Sequence, residues 1–171
     1  MSQLFLVGGA PGSGKSTLVP MLAAADAGIV VFDMDDLLQG GRMLGVKVAY
    51  SDAASVWPEY NKLWMTNLAL ILRSGVPVLF FSPLMPEEVS AALPTGFPYP
   101  ISWALLDCGD AERTRRLQAR GWAPGRIRDA MGDAAAFRSV VPTVIHNDDA
   151  DPADIADVVL RWATGALHPA R

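Results

Sequence analysis

The residues from Gly9 to Thr17 have the clearest chemical capacity in this sequence. They match the pattern G-x-x-x-x-G-K-[ST], which is typical of loops that hold the phosphates of a nucleoside triphosphate. Glycines at this spacing let successive backbone N–H groups point at one anion. In that pattern Lys15 reaches the β- and γ-phosphates and Ser16 is a ligand of Mg²⁺. The predicted nucleotide-binding residues are Gly9, Pro11, Gly12, Ser13, Gly14, Lys15, Ser16 and Thr17.

Three carboxylates follow the second predicted strand, in the order Asp33-Met34-Asp35-Asp36. Ligands of open α/β sheets lie at the carboxyl ends of the strands, so these side chains should face the phosphates. A carboxylate there can hold the waters of Mg²⁺ or accept the proton of an attacking hydroxyl. If the chain stays extended, Asp33 and Asp35 point the same way and Asp36 the other way. One of the three can instead cap a short helix that begins at Leu37.

An arginine-rich stretch at 110–120 is the third candidate. Arg116 and Arg120 are four residues apart and so share one face of a predicted helix. Guanidinium groups stack on bases and bind phosphate oxygens through two hydrogen bonds. The alternative is a solvated basic helix in which Glu112 pairs with Arg116, and this is the role that we expect for Arg113 and Arg115.

The elements that must position these residues alternate between strand and helix. This alternation predicts one α/β domain over residues 1–171, with a five-stranded parallel sheet between two layers of helices. The predicted strands are 4–8, 29–32, 76–81, 101–106 and 142–146. The predicted helices are 14–25, 34–39, 53–73, 86–92, 110–120, 126–138 and 152–164.

Composition narrows the classes of protein to consider. The chain has 171 residues, 51% of them hydrophobic, one cysteine and a net charge of −4. Asp, Arg or Pro interrupts each apolar run, so no membrane span is predicted, and the first residues do not resemble a signal peptide. The acidic charge argues against nucleic acid as a partner, and one cysteine excludes an internal disulfide. We expect a cytoplasmic protein.

Together, the loop of residues 9–17, the Asp33/Asp35 pair and the arginine-rich stretch resemble small P-loop kinases. The similar families are shikimate kinase, gluconate kinase, chloramphenicol phosphotransferase and the adenylate-kinase-like enzymes. The resemblance implies a P-loop NTPase fold that uses ATP and Mg²⁺. In the shikimate-kinase pattern the first Asp lies by the metal and the second contacts the acceptor hydroxyl. This implies Asp33 at Mg²⁺ with Ser16, and Asp35 as base or acceptor-binding group. Other members use the first acid as the base, so the two roles can be exchanged.

The stretch from Arg116 to Arg120 resembles the R-φ-x-x-R motif that starts the lid of nucleoside-monophosphate kinases. The resemblance implies that Arg116 packs on adenine or the α-phosphate and that Arg120 reaches the transferred phosphoryl group. It also implies a short lid at about 121–128, with Arg126 or Arg128 joining the site. Asn147 stands where these kinases contact adenine, although an ordinary turn fits there as well.

Two positions depart from these families. Ser82 follows the third predicted strand, where a Walker-B acid is usual; gluconate kinase is similar there, and a loop role for Ser82 fits equally. Asp133 stands where the shikimate-kinase pattern has an Arg for the substrate carboxylate, which argues against shikimate. Trp57, Tyr60 and Trp64 form one helical stripe that either packs on the sheet or lines an acceptor cleft.

The predicted function is transfer of the γ-phosphoryl group of ATP to a hydroxyl of a small molecule that is sugar-like, a nucleoside or an antibiotic. Lys15, Asp33, Asp35 and Arg120 are the predicted catalytic residues. The alternatives are a nucleoside or nucleoside-monophosphate kinase, and a P-loop ATPase or nucleotide-dependent switch. The switch hypothesis expects a Walker-B acid, which this sequence does not have.

Overall fold

The structure, a computed structural model, describes residues 2–148 and 150–167. Five strands form one parallel sheet in the order β2-β5-β1-β6-β7, and two short strands form an antiparallel hairpin. The elements in chain order are β1 (Leu4–Gly8), α1 (Lys15–Ala23), β2 (Val30–Asp33), a 3-10 turn (Met34–Leu37), β3 (Arg42–Met43), β4 (Val46–Lys47), a second 3-10 turn (Ser51–Ala53), α2 (Trp57–Arg73), β5 (Val78–Ser82), α3 (Pro86–Ala92), β6 (Ile101–Asp107), α4 (Asp110–Ala119), α5 (Pro124–Val140), β7 (Val144–His146) and α6 (Pro152–Leu167).

The central strand β1 shows why the sheet is covered on both faces. Leu4 and Leu6 lie in a core shared with α2 and α3, whereas Phe5 and Val7 lie in a second core shared with α1 and α6. Successive side chains of a strand point to opposite faces, so a continuous apolar run is buried twice. This arrangement confirms the predicted three-layer α/β fold of the P-loop NTPase type.

Helix α5 closes the sheet where β1 ends. The ring of Phe137 lies so close to Gly8 that a Cβ atom on residue 8 would be 2.8 Å from the Phe137 Cε1 atom. Gly8 therefore lets α5 approach the strand from which the phosphate loop leaves.

Several boundaries differ from the predicted ones. The region around residues 40–47, predicted as loop, contains the β3–β4 hairpin. Helix α2 begins at Trp57 rather than at 53, and α5 begins at Pro124 rather than at 126. A proline sits in the first turn of both helices, where its missing N–H costs nothing. The connection between α4 and α5 is thereby shortened to 120–123, half the length of the predicted lid.

Among the described residues, no helix combines the length and the apolar character needed to cross a bilayer.

Candidate active site

The loop between β1 and α1 has the backbone shape that an anion site needs. Gly12 and Gly14 have positive φ angles of 86° and 102°, which side chains with a Cβ rarely adopt. Within the described chain, no side chain caps the start of α1, and the first turn of this helix carries no acidic residue. The free N–H groups of that turn are therefore available to a phosphate.

Lys15 lies at the centre of the charges around this loop. Its Nζ donates a hydrogen bond to the carbonyl oxygen of Gly9. Its pKa is lowered to about 8, chiefly by burial and in smaller part by the positive charges of Arg113 and Arg120. The carboxylates of Asp33 and Asp35 act in the opposite direction. A bound polyphosphate would strengthen that second effect and favour the charged ammonium.

The three carboxylates lie on a tight turn and not on an extended segment. Asp33 caps the 3-10 turn: its Oδ1 accepts the N–H of Asp35 at 3.0 Å, and Asp36 Oδ2 accepts the N–H of Asp33 at 2.8 Å. The expected capping role of one Asp is thus confirmed at Asp33, but the expected helix start at Leu37 was wrong, because the turn already begins at Met34. The alternation expected for an extended chain does not occur, because the chain turns after Asp33 and the Asp36 carboxylate folds back to the Asp33 N–H. All three residues line one cleft.

That cleft has a volume of about 480 Å³, and Ser16 lines it together with Asp33, Asp35 and Asp36. Burial raises the pKa of Asp33, and the nearby charge of Asp35 adds to the rise; the Asp35 N–H and Lys15 partly offset it. A cation bound in the cleft would favour the ionised carboxylate and so lower the pKa of Asp33. The structure thus brings together both predicted metal ligands, Ser16 and Asp33, with the predicted base.

The donor atoms of this cleft suit Mg²⁺. In the described part of the chain, no group of three or more His, Cys, Asp or Glu side chains is arranged to hold a metal ion by itself. Mg²⁺ usually keeps several waters and takes one or two protein oxygens together with substrate phosphates. The Ser16 hydroxyl and the Asp33 carboxylate are oxygen donors of that kind.

Arg116 and Asn147 both bind the outside of the phosphate loop. Arg116 donates to the carbonyls of Gly12 at 3.2 Å and Asn147 at 2.7 Å, and the Asn147 side-chain amide donates to the Ser13 carbonyl at 2.8 Å. The alternative pairing with Glu112 is also present, at 2.6 Å. These contacts place both residues against the phosphate loop, and contact of either one with the nucleotide stays a prediction.

The expectation of a solvated Arg113 was wrong, because this side chain is fully buried and paired with Asp107 at 2.5 Å. One signal in the sequence could have shown it: Arg113 precedes the buried Leu117 by four residues and therefore shares its face of α4. Arg115 follows the expectation, since it is exposed and pairs with Glu112.

The other arginines predicted for the site lie around the α4–α5 connection. Arg120 is exposed at the end of α4, and its charge reaches Lys15. The Arg126 guanidinium stacks on the Trp122 ring at 3.8 Å from the ring centre. Arg126 and Arg128 are both exposed in the first turns of α5. The structure thus brings Arg120 towards the loop, and it does not choose between Arg126 and Arg128.

The aromatic stripe of α2 divides into two parts. Tyr60 and Trp64 are buried, and both donate to the carbonyl of Met34, at 2.5 Å and 2.9 Å. Trp57 is 39% exposed and donates to the Val48 carbonyl beside the hairpin. The packing interpretation therefore holds for Tyr60 and Trp64, which anchor the turn that carries the carboxylates.

Two buried polar side chains lie near these elements. Ser82 is fully buried, and its Oγ accepts the N–H of Leu84 at 3.4 Å, which is the loop role. Asn61, next to Tyr60, is buried, and its Oδ1 has no partner among the described residues. Sequence reasoning missed Asn61, although a polar residue beside the apolar positions Met65 and Leu68 was a visible signal.

Comparisons with known proteins agree with this fold. The structure resembles a tunicamycin resistance protein of Deinococcus radiodurans, with a TM-score of 0.72, 16% identity and 96% of each chain covered. It also resembles a sugar kinase of Janibacter sp., with a TM-score of 0.65, 15% identity and 96% and 95% of the two chains covered. A third similar structure is a shikimate kinase of Acinetobacter baumannii, with a TM-score of 0.63 and 16% identity. The match covers 97% of this chain and 94% of that one.

These identities are low, and they establish the fold alone. No curated protein sequence matches the chain significantly. The pattern that defines the AAA domain family matches residues 6–138, most of the chain. The chain therefore belongs to this AAA domain family of P-loop proteins.

Proposed function

We propose that this chain is a kinase that transfers the γ-phosphoryl group of ATP to a hydroxyl of a small molecule. One observation carries the proposal: Lys15 of the phosphate loop lies among the charges of Asp33, Asp35 and Arg120. A phosphate-binding cation thus lies near a candidate base, an arrangement that suits in-line phosphoryl transfer.

Each residue has a role that follows from its position. The N–H groups at the start of α1 and the Lys15 ammonium bind the phosphates, and Ser16 and Asp33 would hold Mg²⁺, which neutralises charge that develops during transfer. Asp35, exposed in the cleft, orients the acceptor hydroxyl and takes its proton. Arg120, at the end of α4, stabilises charge on the moving phosphoryl oxygens.

The acceptor is proposed to be a neutral or cationic hydroxyl compound, such as a sugar, a nucleoside or an aminated antibiotic. Asp33, Asp35 and Asp36 line the cleft beside the phosphate loop. Their negative charge disfavours anionic acceptors. The likeness to proteins named as a sugar kinase and a tunicamycin resistance protein supports a small-molecule acceptor. We also propose that residues 1–171 act as one domain and that the protein works in the cytoplasm.

A transfer screen tests it. The chain is incubated with γ-labelled ATP, Mg²⁺ and panels of neutral, cationic and anionic hydroxyl compounds, and the labelled products are separated. We expect transfer to a neutral or cationic acceptor, and loss of that transfer in Lys15→Met but not in the control Lys62→Met, whose side chain pairs with Glu59. Slow ATP hydrolysis that no acceptor accelerates would contradict the proposal and favour the nucleotide-dependent switch.

A further inference from the structure

A buried ion cluster lies directly behind the phosphate loop. The carboxylate of Asp107, at the end of β6, accepts from Arg113 at 2.5 Å through Oδ1 and from Arg138 at 2.6 Å through Oδ2. Arg113 is fully buried on α4, and Arg138 reaches the cluster from α5. The cluster thus joins the sheet to the two helices that flank the α4–α5 connection.

Arg113 also binds the loop itself. Its Nη1 donates to the carbonyl of Pro11 at 2.6 Å and to that of Ala10 at 3.3 Å. Gly12 lies against the same side chain, since a Cβ atom there would be 3.2 Å from Arg113 Cγ. One guanidinium therefore holds two consecutive carbonyls on the outer side of the loop. Carbonyls turned outward leave the following N–H groups on the phosphate side.

The charges in the cluster do not cancel. One carboxylate, Asp107, stands between two guanidinium groups, and the further partner of Arg138, Asp110, has a side chain that is 59% exposed. Water screens an exposed carboxylate much more than a buried one. An excess of positive charge therefore remains beneath the loop, where a polyphosphate would supply a further anion.

The cluster is a poor way to increase the free energy of unfolding. A buried ion pair often contributes no more than apolar residues of the same volume. The Nε atom of Arg113 adds to this cost, because it is buried and has no partner in the described part of the chain. A role in ligand binding explains why an arginine stands there.

We propose that Arg113 is a positioning residue for the nucleotide. It fixes the carbonyls of Ala10 and Pro11 and supplies buried positive charge, so that the loop is shaped for a polyphosphate before one binds. This inference rests on the proposed binding of ATP, and it concerns the phosphates rather than the base or the acceptor.

The test compares four variants with the wild-type chain, all at a temperature where circular dichroism shows them folded. Calorimetry measures the dissociation constants of ATP and of inorganic tripolyphosphate, which has no base. We expect Arg113→Met to weaken both by about tenfold or more, and Arg113→Lys, which keeps the charge but not the two-carbonyl contact, to weaken both by less. Arg115→Met, on the exposed face of α4, is the matched control and should bind both ligands normally.

Arg138→Met separates positioning from stability, because Arg138 pairs with Asp107 but does not touch the loop. It should lower the melting temperature and weaken both ligands by less than Arg113→Lys does, because it removes a part-exposed charge from the cluster but no contact with the loop. If Arg113→Met does not fold, Arg113→Lys and Arg138→Met still decide the matter. Equal affinity losses in these two, or normal affinity in folded Arg113→Lys, would overturn the role of Arg113. A wild-type chain that binds neither ligand would overturn the proposed function itself.

Discussion

The phosphate loop and the β3–β4 hairpin are built in contrasting ways. On the phosphate side, residues 9–17 leave a fully buried strand, enter α1, and are held from behind by Arg113, Arg116 and Asn147. The β3–β4 hairpin, which we propose as the acceptor side, has two residues in each strand. Leu44 at its tip is 98% exposed, and much of the hairpin is exposed as well.

This contrast follows from what each side has to bind. A triphosphate has the same shape and charge whatever the acceptor is, so a fixed backbone cradle serves it well. An acceptor varies in size and polarity, and segments with few buried contacts open and rearrange at low cost. The residues of the phosphate side therefore indicate which ligand they bind, whereas the acceptor has to be identified by experiment.

The largest effect is expected at the turn after β2, where Asp33 is assigned to the metal and Asp35 to the acceptor. Asp35→Asn should lower turnover by about 10³-fold with ATP affinity unchanged, since it removes a base that does not hold the metal. Asp33→Asn should weaken Mg²⁺-dependent ATP binding as well. Steady-state kinetics and calorimetry at varied Mg²⁺ separate the two outcomes. The reverse pattern would exchange the roles of the two residues.

Added volume at Gly8, where β1 packs against Phe137 of α5, should destabilise the protein. Gly8→Ala should lower the free energy of unfolding by about 1–3 kcal/mol, because the new methyl group meets the ring of Phe137. Gly132→Ala on α5, where a Cβ meets nothing within 4 Å, is the control and should raise it by up to about 1 kcal/mol. Urea denaturation measures both, and equal effects would contradict the close packing at Gly8.

Protonation of Lys15 should respond to the ligand. Its pKa of about 8 leaves it partly neutral at pH 8, and a bound polyphosphate raises that pKa. ATP binding at pH 8 should therefore take up roughly half a proton, and less at pH 7, where Lys15 is already charged. Calorimetry in buffers of different ionisation enthalpy measures the uptake. Lys15→Met should abolish it, and an uptake that persists in that variant would assign the proton to another group.

The smallest effect is expected at the hairpin. Leu44 has a φ angle of +50°, which disfavours a side chain with a Cβ. Leu44→Gly should therefore change the free energy of unfolding by less than about 1 kcal/mol, with ATP affinity unchanged. An altered acceptor KM in this variant would show that the hairpin tip contacts the acceptor. A loss of ATP affinity would contradict the claim that the hairpin takes no part in binding the nucleotide.

Much of the fold could be predicted because its signals are local. The buried run of β1, the glycine pattern after it and the alternation of strand and helix lie within short stretches of sequence. The same holds for Ser16, Asp33 and Asp35, which fall on strand ends or on the loop and so had to meet at one edge of the sheet. Local patterns did not show the β3–β4 hairpin, whose short strands carry little periodicity.

By itself, the sequence determined a P-loop α/β protein whose carboxylates face its phosphate loop. Only the tertiary structure decided that Asp33 caps a turn, that Tyr60 and Trp64 anchor that turn through Met34, and that Arg113 is buried behind the loop. The physical reason is distance along the chain. Arg113 finds its loop partners about a hundred residues away, and no local preference of an arginine on a helix encodes where such partners will lie.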